Sequence, residues 1–193
     1  GSLYTPPNVP SEWGECYAWL LAGTYDFPGG ISTGLTGIIG YSSTRGDSPT
    51  GTSRPLCQLG TANWQGEGLE NLRITGAHPA LVSVQKATVN CYILNSTTGL
   101  ATALILQDDG AKAVDCQVSC PNGKAISVQG DAAQVVFCRV HDSTVGMEIL
   151  GARCIIADNY IDSCPEGIKG TAMMYPRFLG NTIYNSNVGL RDL

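Results

Sequence analysis

The segment LILQDDGAKAVDCQVSCPNGKAISV, residues 104–128, spans one full period of a repeat. It opens and closes on the same unit, Leu104-Ile105-Leu106 and Ile126-Ser127-Val128, in which apolar residues flank a residue of any type. Working outward, that position recurs at Val82, Leu104, Ile126, Met147, Ile168 and Leu190, in steps of 22, 22, 21, 21 and 22 residues. A second column keeps pace with it. Cys91-Tyr92-Ile93, Cys116-Gln117-Val118, Cys138-Arg139-Val140, Asn159-Tyr160-Ile161 and Asn181-Thr182-Ile183 advance by 25, 22, 21 and 22, and Leu72-Arg73-Ile74 fits one step earlier. Two registers that advance together over so many steps are a structural repeat. A period in the low twenties is that of a stacked solenoid.

The repeat is built of strands. Val82/Val84, Leu104/Leu106, Ile126/Val128 and Met147/Ile149 alternate with Ser83, Ile105, Ser127 and Glu148, which is the period of two of a pleated strand. Turn residues punctuate the connections at Asp108-Asp109-Gly110, Asn122-Gly123 and Gly130-Asp131. No ten-residue stretch carries a helical stripe, and the Leu spacing followed by Asn of a leucine-rich repeat is absent. The expected fold is all-β: one single-stranded, right-handed parallel β-helix (β-solenoid) with coils of about 22 residues, each donating two or three short strands. Residues 1–15, with Pro6-Pro7 and Pro10, read as an extended arm or tag remnant. Irregular coils occupy residues 16–68 and regular ones 69–193. Strands are expected over Cys16 to Phe27, with a turn at Gly23, and over Ile31 to Tyr41. Pro55 to Leu59 resumes an apolar strand, Trp64 reads as part of a polar turn and His78-Pro79 as a corner.

The pairs Asn159-Tyr160-Ile161-Asp162-Ser163 and Asn181-Thr182-Ile183-Tyr184-Asn185-Ser186 resemble the right-handed parallel β-helix repeats of the pectate-lyase-like superfamily. The resemblance implies an inward Asn that stacks on its copy in the next coil; here Cys takes that place in three coils. It covers roughly Leu69 to the C-terminus. The opening, Ala22-Gly23-Thr24-Tyr25 followed by Ile38-Ile39-Gly40-Tyr41, looks like the first coils of phage-type and bacterial surface β-helix proteins. The superfamily's functions run from lyases and hydrolases to tailspikes and inert adhesins, so fold alone does not select among them.

Composition narrows the partners. A net charge of −5 with no basic patch disfavours nucleic acid. No apolar run reaches the length of a membrane span. Gly1-Ser2 reads as an expression scar, and the end at Leu190-Arg191-Asp192-Leu193, in mid-coil, as a truncation or a junction with another domain or subunit. Of the eight cysteines, Cys91, Cys116 and Cys138 fall in one inward column and read as small buried hydrophobes. Cys120 and Cys164 share a column with Ser96, Ser143 and Ser186, two coils apart, too far to bridge. Only Cys16 with Cys57 is left open as a disulfide. Reduced thiols suit a virion protein assembled in a reducing cytosol better than a disulfide-stapled secreted enzyme; the expected location is a virion or the extracellular cell surface, and no thiol set has zinc-ligand spacing.

Candidate chemistry is sparse. Asp108-Asp109 is the adjacent acid pair that a glycoside hydrolase would need, but it also reads as a turn. A Ca²⁺-dependent lyase would need a carboxylate cage that the one-per-coil acids Asp115, Asp131, Asp142 and Asp158 do not make, so no cofactor is expected outside that alternative. His141-Asp142 reads as a solvated corner. Arg45-Gly46-Asp47 reads as loop residues, with Asp47 or Arg45 pinning the loop Ser42 to Arg54. The outward column Arg73, Tyr92, Gln117, Arg139, Tyr160, Thr182 is the better candidate. Flat rings alternating with hydrogen-bonding groups suit a polysaccharide, and Tyr92, Gln117, Arg139 and Tyr160 are its glycan-binding candidates. The same column also reads as Tyr and Arg covering a β surface or burying against another protomer or loop, so the sequence predicts a non-catalytic, structural segment of a larger phage tail or bacterial surface protein, with glycan binding as the functional reading of this column. The alternatives are a polysaccharide lyase or hydrolase and a trimeric oligomerisation stalk, so the partners considered are a glycan, a homotrimer or flanking domains.

Overall fold

A computed structural model describes residues 16–29, 31–32, 35–171 and 174–191. The predicted arm, residues 1–15, lies outside the described residues. The chain winds into a parallel β-solenoid of about eight turns. Each regular coil carries three strands on three faces. The first face stacks Thr102–Leu106, Lys124–Val128, Val145–Ile149, Glu166–Gly170 and Val188–Arg191. The second stacks Lys112–Val114, Gln134–Val136, Ile155–Ala157 and Arg177–Leu179. The long strand Ala80–Val89 serves both, pairing with Thr102–Leu106 through its first half and with Lys112–Val114 through its second. The third face is an eight-stranded sheet: Thr24–Asp26, Leu56–Gln58, Arg73–Gly76, Tyr92–Asn95, Gln117–Ser119, Arg139–His141, Tyr160–Asp162 and Thr182–Tyr184.

Both sequence columns are strand registers. Val82, Leu104, Ile126, Met147, Ile168 and Leu190 are successive partners on the first face. Ile74, Ile93, Val118, Val140, Ile161 and Ile183 are successive partners on the third. Ile93, Val118, Val140 and Ile161 are fully buried, and burial of each such side chain stabilises the fold by about 1.5–3 kcal/mol. The second face supplies the third inward column, Thr88, Ala113, Val135 and Ile156. A column of small residues completes the interior. Ala103 and Ala125 are buried, and a Cβ at the next position, Gly146, would meet Ile161 Cγ2 at 2.8 Å and the Gly167 carbonyl at 2.5 Å. The first face therefore leans on the third too closely for a larger side chain.

Left-handed residues turn the corners. Between the second and third faces these are Asn71, Asn90, Asp115, Phe137, Asp158 and Gly180, with φ from 51° to 60°. Asn, Asp and Gly tolerate this region; Phe does not. Immediately after each comes the inward Cys or Asn. Asn159 Nδ2 donates to Val135 O at 2.9 Å and to Asn181 Oδ1 at 2.9 Å, and Asn181 Nδ2 donates to Ile156 O at 2.7 Å. Cys138 and Cys116 donate their thiols to the equivalent carbonyls, Ala113 O and Thr88 O, each at 3.5 Å. Cysteine thus fills the asparagine slot and keeps part of its hydrogen bonding. Burial pushes the thiols of Cys57, Cys91 and Cys116 well above the ordinary range. Cys57 is a buried free thiol, while the side chain of Cys16 lies outside the described residues.

Asp47 pins the loop as expected: its carboxylate accepts from the backbone N–H groups of Ser42, Ser43 and Thr44 and from the Ser42 hydroxyl. Those bonds hold it well below the usual carboxylate range. The same loop lies on the Asn corner, where Asn90 Nδ2 donates to Pro49 O at 3.1 Å and Arg54 bonds Asn90 Oδ1. Trp64 is not in a polar turn. It begins the strand Trp64–Glu70, is 2% exposed, and pairs with Val82 as an earlier rung of the first-face column. The short step of 18 residues, with a register shift between Gly66 and Gly68, hides it from the regular period. Of the pair His141-Asp142, Asp142 is exposed at a left-handed corner as expected, whereas His141 ends the strand Arg139–His141 and its side chain is 18% exposed.

Candidate functional site

The ladder on the third face follows from the corners. Each left-handed residue and its inward successor fix the chain direction, so the next side chain points outward at a constant position. Arg73, Tyr92, Gln117, Arg139, Tyr160 and Thr182 are consecutive partners in that column. The four candidates Tyr92, Gln117, Arg139 and Tyr160 therefore occupy four successive rungs, about 4.8 Å apart by strand spacing.

The ladder is internally wired. The Arg139 guanidinium lies 5.8 Å from the Tyr160 ring centroid, within cation–π range, so each holds the other's orientation. Gln117 Nε2 lies 2.8 Å from His141 Nε2, and His141 Nδ1 lies 2.9 Å from Asp142 Oδ2. With Asp142 ionised, Nδ1 carries the ring proton and Nε2 accepts from the Gln117 amide. Gln117 Oε1 and its second N–H are then left as an acceptor and a donor. Adjacent strand residues normally face opposite ways, but Asp142 has φ 48°, which swings its carboxylate back onto His141. No pattern of spacing exposes this, because the contact depends on a corner conformation.

Elsewhere Asp109, Asp131 and Glu148 serve the structure, while Asp108 is exposed at its corner. Asp108 and Asp109 sit at the corner that leaves the first face, far around the coil from the ladder. Asp109 Oδ1 accepts from the Asp131 N–H at 2.8 Å, and Asp131 Oδ1 accepts from the Ala152 N–H at 2.8 Å, so each carboxylate supports the next coil's corner. On the first face the outward column Ser83, Ile105, Ser127, Glu148, Lys169, Arg191 is in register. Glu148 faces Lys169 in that register but forms its ion pair with Lys124 and is 7% exposed. Beside it runs a groove of about 230 Å³ lined by Pro79, Leu100, Thr102, Lys124, Thr144 and Val145.

Among the described residues no group of three or more His, Cys, Asp or Glu side chains is placed to hold a metal ion, and no helix is long and apolar enough to cross a membrane. Sequence reading missed the His141 contacts and the whole second face. The latter's three-residue strands, Lys112–Val114 and its stacked partners, were legible only as a third column at the same period. No family model, curated protein or solved structure matches the chain.

Proposed function

We propose that this chain is a non-catalytic β-solenoid segment of a larger phage tail or bacterial surface protein, and that its third face binds an extended glycan. One observation carries the reading: Tyr92, Gln117, Arg139 and Tyr160 stand on successive rungs of one outward column. The rung spacing is close to the advance of one sugar in an extended chain. Tyrosine rings offer stacking surfaces to the C–H face of a pyranose, while Gln117 and Arg139 supply directed hydrogen bonds to its hydroxyls. Such polar groups fix orientation in carbohydrate and other small-ligand sites. The ladder is pre-organised by the Arg139–Tyr160 and Gln117–His141–Asp142 contacts, which lowers the ordering cost of binding.

The lyase or hydrolase alternative is less well supported, because Asp109, Asp131 and Glu148 already serve backbone N–H groups or an ion pair. A glycan array combined with a depolymerisation assay tests the proposal. Wild type should bind and release no oligosaccharides, and Tyr92→Ala/Tyr160→Ala should lose binding. Released product would favour the enzyme reading instead.

A further inference from the structure

The corner next to the ladder contains one residue that its own column does not explain. Five of the six left-handed positions between the second and third faces hold Asn, Asp or Gly; the sixth is Phe137, at φ 57°. Phenylalanine there strains the backbone, since its β-carbon is disfavoured in the left-handed region. Its ring contributes nothing to the core, since Phe137 is 60% exposed and stands outside the buried cluster. Arg139 follows it two residues later on the ladder, stacked on Tyr160. The strained aromatic therefore extends the flat surface of the third face around its edge.

Charge around this edge has one dominant sign. Asp115 and Asp158 occupy the same corner on the rungs either side of Phe137, and both are exposed. Asp142 is exposed and Asp162 half-buried at the opposite side of the face; against them stand Arg139 on the ladder, Arg54 on the Asn90 corner one coil before Asp115, and Arg73 three rungs away. Carboxylates so placed repel uronate or sialate groups.

From these observations we infer that Phe137 is a recognition residue of the third face, stacking on the apolar face of a sugar, and that the site selects neutral over acidic glycans. The inference rests on the glycan-binding reading and deepens it. Phe137→Asn installs the residue that the column itself uses at Asn71 and Asn90. If Phe137 were there only for stability, this change would be harmless or harmful to both folding and binding. A recognition role predicts opposite signs: strain is relieved while the stacking surface is lost.

The test is an array of neutral gluco-, manno- and N-acetylglucosamino-oligosaccharides beside acidic galacturonate, glucuronate and sialylated ones. Wild type, Phe137→Asn, Phe137→Tyr and Tyr92→Ala/Tyr160→Ala are compared, with thermal melts of each. The expected result is binding to neutral members, a loss of about tenfold in Phe137→Asn, and retention in Phe137→Tyr. The Phe137→Asn melt should rise by about 2–4 °C. Unchanged binding in Phe137→Asn, with loss in the double variant, would overturn the role of Phe137 and leave the glycan reading standing. Preference for the acidic members would overturn the neutral selectivity alone. Silence of wild type across the array would overturn both.

Discussion

The backbone N–H of Cys138 donates to the side-chain oxygen of Asn159, one coil further on, at 2.8 Å. That bond joins the two halves of the interior ladder: thiols below it in sequence, amides above. Asn159 also donates to Val135 O and Asn181 Oδ1, so all of its polar atoms are used in the interior. Asn159→Ala leaves a buried donor and a buried acceptor without partners and should cost about 2–4 kcal/mol. Asn159→Cys keeps a donor in the slot, as the preceding coils do, and should cost about 1 kcal/mol. Urea unfolding midpoints of the two variants check the ordering.

Alkaline pH should destabilise the protein through Cys120 and Cys164. Burial pushes Cys120 and Cys164 up to about 11 from an ordinary value of 9.0. Their neutral form is favoured by folding, so the stabilisation is fully present below about pH 9. Above that the unfolded chain loses protons first, and stability falls as pH rises toward 11. The urea midpoint should hold from pH 7 to 8.5 and then decline. Consistently, iodoacetamide at pH 8 should leave the seven buried free thiols of the described residues unlabelled in the native protein and label them in denaturant, as read site by site by peptide mass.

The loop that carries Asp47 should respond to acid in the opposite sense. Hydrogen bonds from Ser42, Ser43 and Thr44 depress the Asp47 carboxyl, so its contribution is present at neutral pH and lost as pH falls. Asp47→Ala should speed hydrogen exchange at the Ser42, Ser43 and Thr44 amides. The corner at Asn90 should keep its protection, because Pro49 and Arg54 hold the loop there independently.

Ala132 occupies a left-handed corner at φ 52°, in a column that has Gly110 one coil earlier. A β-carbon is disfavoured in that region, and glycine is not. Ala132→Gly should therefore stabilise the protein by about 0.5–1 kcal/mol, against the usual direction of an Ala-to-Gly change. A shift of the urea midpoint to higher concentration would show it.

Much of this architecture was legible in the chain. The two columns at Leu104 and Val118 gave coil length, strand type and register, because inward apolar residues recur at a fixed spacing and are insensitive to what lies between. The outward ladder from Arg73 to Thr182 followed from the same register. The second face was less visible. Its inward residues, Thr88, Ala113, Val135 and Ile156, differ in size and polarity, and its strands are only three residues long. Trp64 was misread because the irregular coils shorten the period before Val82. The contact of His141 with Asp142 depends on how a left-handed corner aims a side chain, which spacing does not record; the spacing does put Phe137 in the column of Asn90, Asp115, Asp158 and Gly180, but not the left-handed angle it adopts there.

If the third face binds glycan through its ladder, isothermal titration with the oligosaccharide that binds most strongly on the array should show saturable binding to wild type and none to Tyr92→Ala/Tyr160→Ala, while both proteins melt within a few degrees of each other. Equal binding by the two folded proteins would rule the ladder out.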